Sequence, residues 1–66
     1  MFLLNEKIEV CNFSVYLPLK SDGTRATKGT VVELLNRGNF SVKFEGYANT
    51  IDYTSQEARC FRVVQS

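Results

Sequence analysis

Apolar and polar positions alternate most regularly across residues 40–53. Phe40, Val42 and Phe44 alternate with Ser41 and Lys43, the period of two that gives a strand one buried face. Glu45-Gly46 interrupts the run, and glycine takes the positive φ of a tight turn without steric cost. Beyond it, Ile51 and Tyr53 share one face and Asp52 takes the other. The stretch predicts a β-hairpin. Upstream, residues 6–11 predict a strand with Ile8 and Val10 on one face and Lys7, Glu9 and Cys11 on the other. Residues 29–35 predict a second strand. Its doublets Val31-Val32 and Leu34-Leu35 leave the register ambiguous, and Val32 with Leu34 is the expected inward pair. The turn before the hairpin falls on residues 36–39, where Gly38 or Asn39 suits a left-handed backbone. Residues 55–58 predict one helical turn capped by Ser55, and residues 59–64 a last strand with Phe61 and Val63 inward. No segment sustains the 3.6-residue apolar period of a helix.

Residues 12–28 form a long first connection. Phe13, Val15, Tyr16 and Leu17 make it apolar, Pro18 withholds an amide donor and so fits a loop or edge, and Ser21-Asp22-Gly23-Thr24 is a turn. The connection reads as an irregular hairpin folded over one end of the core, with Phe13 and Leu17 as its caps. Strand, long loop, three strands on short turns, one helical turn and a last strand is the order of a five-stranded Src-homology-3-like barrel. First and last strands pair in that architecture, which closes the sheet and removes its edges. Cys11 and Cys60 then become outward-facing neighbours.

The chain has 66 residues, so residues 1–66 are read as one all-β domain. A chain this short buries only about 60% of its unfolded surface. Dense packing, a partner or a second copy in a homodimer must make up the difference. With no histidine, neither a Ser-His nor a Cys-His nucleophile pair can be assembled. Two cysteines alone do not complete a four-ligand zinc site. No phosphate-binding glycine loop is present. The expectation is a protein that is not an enzyme and takes no cofactor or metal. Met1-Phe2-Leu3-Leu4 is too short an apolar start for an export signal or a membrane span, and the expected location is cytoplasmic.

Residues 42–53 read V-K-F-E-G-Y-A-N-T-I-D-Y. This resembles the hairpin of the Tudor superfamily, in particular its chromo-barrel and malignant-brain-tumour-repeat branches. They carry a Val-x-aromatic-acidic-Gly-aromatic segment followed shortly by an aromatic, an Asp and another aromatic or acidic position. The resemblance implies a rim of aromatic side chains that cages methylated lysine by cation–π attraction. Carried onto this chain, the cage positions are Phe44, Tyr47 and Ile51, with Tyr16 of the long loop as a fourth wall. Ile51 stands where the family has an aromatic, and the chain has no tryptophan.

Net charge is +1, so a polyanion site depends on where the cations fall, not on their number. Lys20, Arg25 and Lys28 share the long loop, and Arg37 lies in the second turn. In a barrel of this type both loops flank one groove, where Tyr16 and Tyr47 offer faces for base stacking. The leading expectation is a small regulatory protein that binds nucleic acid, DNA or RNA, through that groove. The alternative is a regulator, phage-encoded on the ground of its size, that docks on a larger protein through the Tyr16/Tyr47 surface.

Overall fold

In a computed structural model, described over residues 1–64, the chain is all-β. Five strands form one antiparallel sheet: β1 (Lys7–Val10), β2 (Lys28–Leu34), β3 (Phe40–Phe44), β4 (Thr50–Tyr53) and β5 (Phe61–Val63). Their order is β4-β3-β2-β1-β5, with β5 antiparallel to β1 through Val10↔Phe61 and Ile8↔Val63. Pairing of first and last strands is therefore as expected. Closure is not: β4 and β5 remain the two edges of the sheet. Strands of four and three residues offer few groups for a further ladder. The edges meet through side chains instead, Tyr53 and Phe61 having ring centroids 4.9 Å apart.

The core follows the alternation read from the hairpin. Phe40, Val42 and Phe44 of β3 are buried, as are Ile8 and Val10 of β1 and Tyr53 of β4. Four rings form its centre, with Phe40 and Phe44 each against both Tyr53 and Phe61. The opposite face of β3 carries Ser41, itself buried, whose hydroxyl donates to the Asp52 carboxylate.

Three local expectations need correction. In β2 the inward residues are Gly29 and Val31, while Val32 is exposed. A bulge between Val31 and Glu33 adds one residue to this strand, as such bulges do. It returns Leu34 to the Phe40 side, where it lies opposite Phe40 at the open end of the core and stays exposed. Cys60 closes a 3₁₀ turn (Glu57–Cys60) and is buried, although it is a backbone neighbour of exposed Cys11, whose N–H donates to its carbonyl at 2.7 Å. Val63, opposite Ile8, is partly exposed at the end of its short strand. In the turn of Asn36–Gly38, Gly38 is left-handed as expected; Arg37 joins it, and Asn39 is extended.

The cap of the last turn also moves. Thr54 N–H donates to Glu57 Oε1 at 2.9 Å, and Glu57 N–H donates back to Thr54 Oγ1 at 3.3 Å. This reciprocal pair is a capping box, and Ser55 plays no part in it. Thr54→Ala is expected to cost about 1 kcal/mol and Ser55→Ala much less, a ranking that urea denaturation of the two variants checks.

Candidate interaction surface

The long loop between β1 and β2 is irregular but held at several points. Leu17 and Pro18 are buried and fix its middle to the core. The Tyr53 hydroxyl donates to the Tyr16 carbonyl at 2.5 Å, and Arg25 Nη1 donates to the Leu17 carbonyl at 2.9 Å. Leu19 and Arg25 bridge as a short antiparallel pair, so the expected irregular hairpin is present. Its turn is set by Asp22, whose carboxylate accepts from the Thr24 hydroxyl at 2.6 Å and the Thr24 N–H at 2.9 Å. Those two bonds hold its pKa below the ordinary aspartate value, with Lys20 adding to the effect. An aspartate bonding two residues ahead is the local signal for such a turn.

Holding the loop this way leaves large side chains in solvent. Phe13 is 68% exposed, Tyr16 59% and Leu19 51%. Phe13, Val15, Tyr16, Leu17 and Arg25 line a shallow concavity of about 380 Å³. Of the two expected caps of the core, Leu17 fills that place, with Pro18 beside it, and Phe13 does not. Leu19 is exposed beyond what the turn signals of this loop imply. Its signal was available: a seven-residue irregular stretch with five large apolar groups has more of them than it can bury.

Tyr53 ties this surface to the fold. Burial, with the Glu57 carboxylate and Tyr16 adding, pushes its phenol well above the ordinary tyrosine value. The unfolded chain ionises at about pH 10 while the folded chain does not. Stability is therefore unaffected by this group below that point and falls as pH rises through it, by up to about 1.4 kcal/mol per pH unit. Tyr53→Phe is expected to be less stable at neutral pH by about 1 kcal/mol for the lost hydrogen bond. It should also show a shallower alkaline decline, read from urea midpoints between about pH 8 and 11.

The cations do not gather as the sequence suggests. The stem of Lys20 crosses Gly46, where φ is +83° and an added Cβ would lie 2.6 Å from Lys20 Cδ. Glu45 N–H donates to the Lys28 carbonyl at 2.9 Å, so Lys20 and Lys28 both lie by the β3–β4 turn. Arg37 sits beyond the other end of β2, on the order of 20 Å away at about 3.3 Å per strand residue. Lys43, in this same region, turns its Nζ to the Phe44 and Tyr47 carbonyls, and Arg62 pairs with Glu9 at 2.6 Å. Of the expected groove residues, Tyr16 and Arg25 share a surface, Lys20, Lys28 and Tyr47 are neighbours of the β3–β4 turn, and Arg37 belongs to neither group.

The aromatic cage is not assembled. Phe44, 1% exposed, is central to the ring cluster and has no face to offer a ligand. Tyr47 and Ile51 are half-buried against the core, and Tyr16 alone of the four stands out in solvent. The aromatic at position 44 alternates inward with Phe40 and Val42, and a strand cannot turn one of three in-phase residues to the opposite face. What the surface does offer is two aromatic faces, an aliphatic side chain and a guanidinium. Comparison of the chain with protein-family models, curated proteins and solved structures finds no match.

Proposed function

We propose that this chain is a non-enzymatic binding module that docks on a protein partner through Phe13, Tyr16 and Leu19 of the long loop. The observation that carries the reading is that these three large side chains are exposed on a loop whose backbone is pinned at Leu17, Tyr16 and Arg25. Neighbouring exposed apolar groups of this size mark interaction surfaces. Aromatic anchors dominate the energetics of such contacts, and a pinned loop loses little freedom on binding. The role in view is that of a small cytoplasmic regulator acting by attachment to a larger protein.

The Src-homology-3-like, Tudor-like reading of the fold belongs to the same proposal. It is supported by the placing of β5 beside β1, by the 3₁₀ turn directly before β5, and by the Tyr53–Phe61 contact between the two edges. Modules of that kind use the long first loop as one wall of their binding face.

One observation favours a second reading. Tyr16 and Phe13 flank Arg25 on one concavity, the combination of stacking face and cation that single-stranded nucleic acid uses. Fluorescence anisotropy of labelled single- and double-stranded DNA and RNA, at about 50 and 200 mM salt, separates the two. Protein docking expects no micromolar binding at the lower salt. Micromolar binding that weakens steeply with salt, and is lost when Arg25→Glu is combined with Lys28→Glu, would put nucleic acid in its place.

A further inference from the structure

We propose that Cys11 and Cys60 are a redox site. A low-molecular-weight disulfide such as oxidised glutathione converts them to a reversible disulfide that ties β5 to the root of the long loop, with or without a docked partner. Both are free thiols, and they are the only cysteines in the chain. The β1–β5 ladder places them together. Its register runs Ile8↔Val63, Glu9↔Arg62 and Val10↔Phe61, and one step further Cys11 N–H donates to the Cys60 carbonyl at 2.7 Å. Opposed residues at hydrogen-bonded positions hold their Cα atoms about 5.5 Å apart, inside the roughly 4.4–6.8 Å that a disulfide spans. Two residues along the same ladder, opposed side chains already meet, Arg62 Nε donating to Glu9 Oε2 at 2.7 Å. The Cys11 thiol also turns toward its neighbour. It donates to the Arg59 carbonyl at 3.7 Å, and that carbonyl belongs to the peptide leading into Cys60.

Exposure divides the work between the two thiols. Cys11 is exposed and meets a reagent from solvent, whereas Cys60 is 6% exposed and is reached by a group already beside it. An accessible thiol next to a second, resolving thiol is the arrangement of redox-sensing pairs. In the first step the Cys11 thiolate attacks one sulfur of glutathione disulfide. A Cys11–glutathione bond forms, the glutathione S–S bond breaks, and one glutathione leaves as a thiolate that takes up the proton Cys11 gave. In the second step Cys60 loses its proton and its sulfur attacks Cys11 Sγ. The Cys11–glutathione bond breaks, and the other glutathione leaves and takes up that proton. The electron pair lost by the two cysteines thus ends on glutathione, and excess reduced glutathione runs both steps backwards. Asn12 N–H donates to the same Cys60 carbonyl at 3.1 Å. The new bond therefore pins the start of the long loop as well as β5, a strand of only three residues. In a reducing compartment such a bond is transient.

The test treats the folded, reduced chain with oxidised glutathione and reads intact mass, free thiols and melting temperature. The expected product is a monomer that has lost both thiol hydrogens, with Cys11 and Cys60 joined in one proteolytic fragment. The bond closes a loop over residues 12–59, so the melting temperature should rise by more than about 10 °C and fall back when dithiothreitol is added. Cys60→Ala should stop the reaction at a lasting Cys11–glutathione adduct, and Cys11→Ser should leave Cys60 unmodified in the folded chain. If Cys60→Ala does not fold, the unsubstituted chain alone decides. Thiols that survive the treatment, a glutathione adduct that persists in the unsubstituted chain, a disulfide between two copies, or an internal bond that fails to raise the melting temperature would each overturn the proposal.

Discussion

Phe44→Ala is expected to remove a large share of the domain's stability, about 3–5 kcal/mol. Phe44 is 1% exposed and its ring lies 6.1 Å from that of Tyr53 and 6.3 Å from that of Phe61. Removing a buried phenylalanine costs about 3–5 kcal/mol, because the lost transfer energy is joined by a cavity. A domain of this length has roughly 3–10 kcal/mol in all, so the loss takes a large share of it. Circular dichroism in a urea titration reads the outcome directly. The same variant separates two roles for the residue. A core Phe44 loses stability when truncated, whereas a cage wall would lose only ligand. A wild-type urea midpoint for Phe44→Ala would mean that the ring is not in the core.

Gly29→Ala is the second large effect, and its sign is the informative part. In an ordinary strand alanine is better than glycine by about 0.5–1 kcal/mol, since glycine loses more freedom on folding. Here Gly29 lies opposite Phe44, and an added Cβ would stand 2.7 Å from the Lys43 carbonyl oxygen and 2.7 Å from Val42 Cγ1. The oxygen belongs to backbone within the β2–β3 ladder and cannot swing aside. Overpacking of this kind costs about 1–3 kcal/mol, which lowers the melting temperature by about 4–8 °C for each kcal/mol in a domain of this size. A higher melting temperature for Gly29→Ala would mean that β2 and β3 do not approach this closely.

Much of the fold was legible because side-chain alternation is a direct consequence of strand geometry. Phe40, Val42 and Phe44 are in phase and turn inward together, and Gly46 sits at the positive φ its turn requires. The second strand was not legible in the same way. Two apolar doublets fit either register, and the bulge that decides between them depends on pairing with β3, which residues 29–35 do not encode locally. Residue type alone favours Ser55 as a cap, whereas the reciprocal spacing Thr54-x-x-Glu57 is the stronger sign. Closure of the sheet was inferred from strand order alone, and order does not count the hydrogen-bonding groups that β4 and β5 have to spare.

The interaction surface was legible in part. Tyr16 and Arg25 do share a concavity. Arg37 was grouped with them on an architectural expectation about loops, and the seven residues of β2 hold it away. Family resemblance puts Phe44 in a cage, against the period-2 pattern that places it in the core. Where resemblance and alternation conflicted, alternation described the structure. The apolar hollow between Phe2, Leu34 and Ala58 has no local signal, because its walls come from three separate stretches of the chain and meet only after folding.

The most direct test of the docking account replaces Tyr16, or in parallel Ser21, with the photoreactive residue benzoylphenylalanine and irradiates cells of the natural source. The account predicts a discrete protein adduct from position 16, none of comparable yield from position 21, and loss of the adduct when Phe13→Ala is added. An adduct from position 16 that nuclease removes, or equal yields from the two positions, would contradict it.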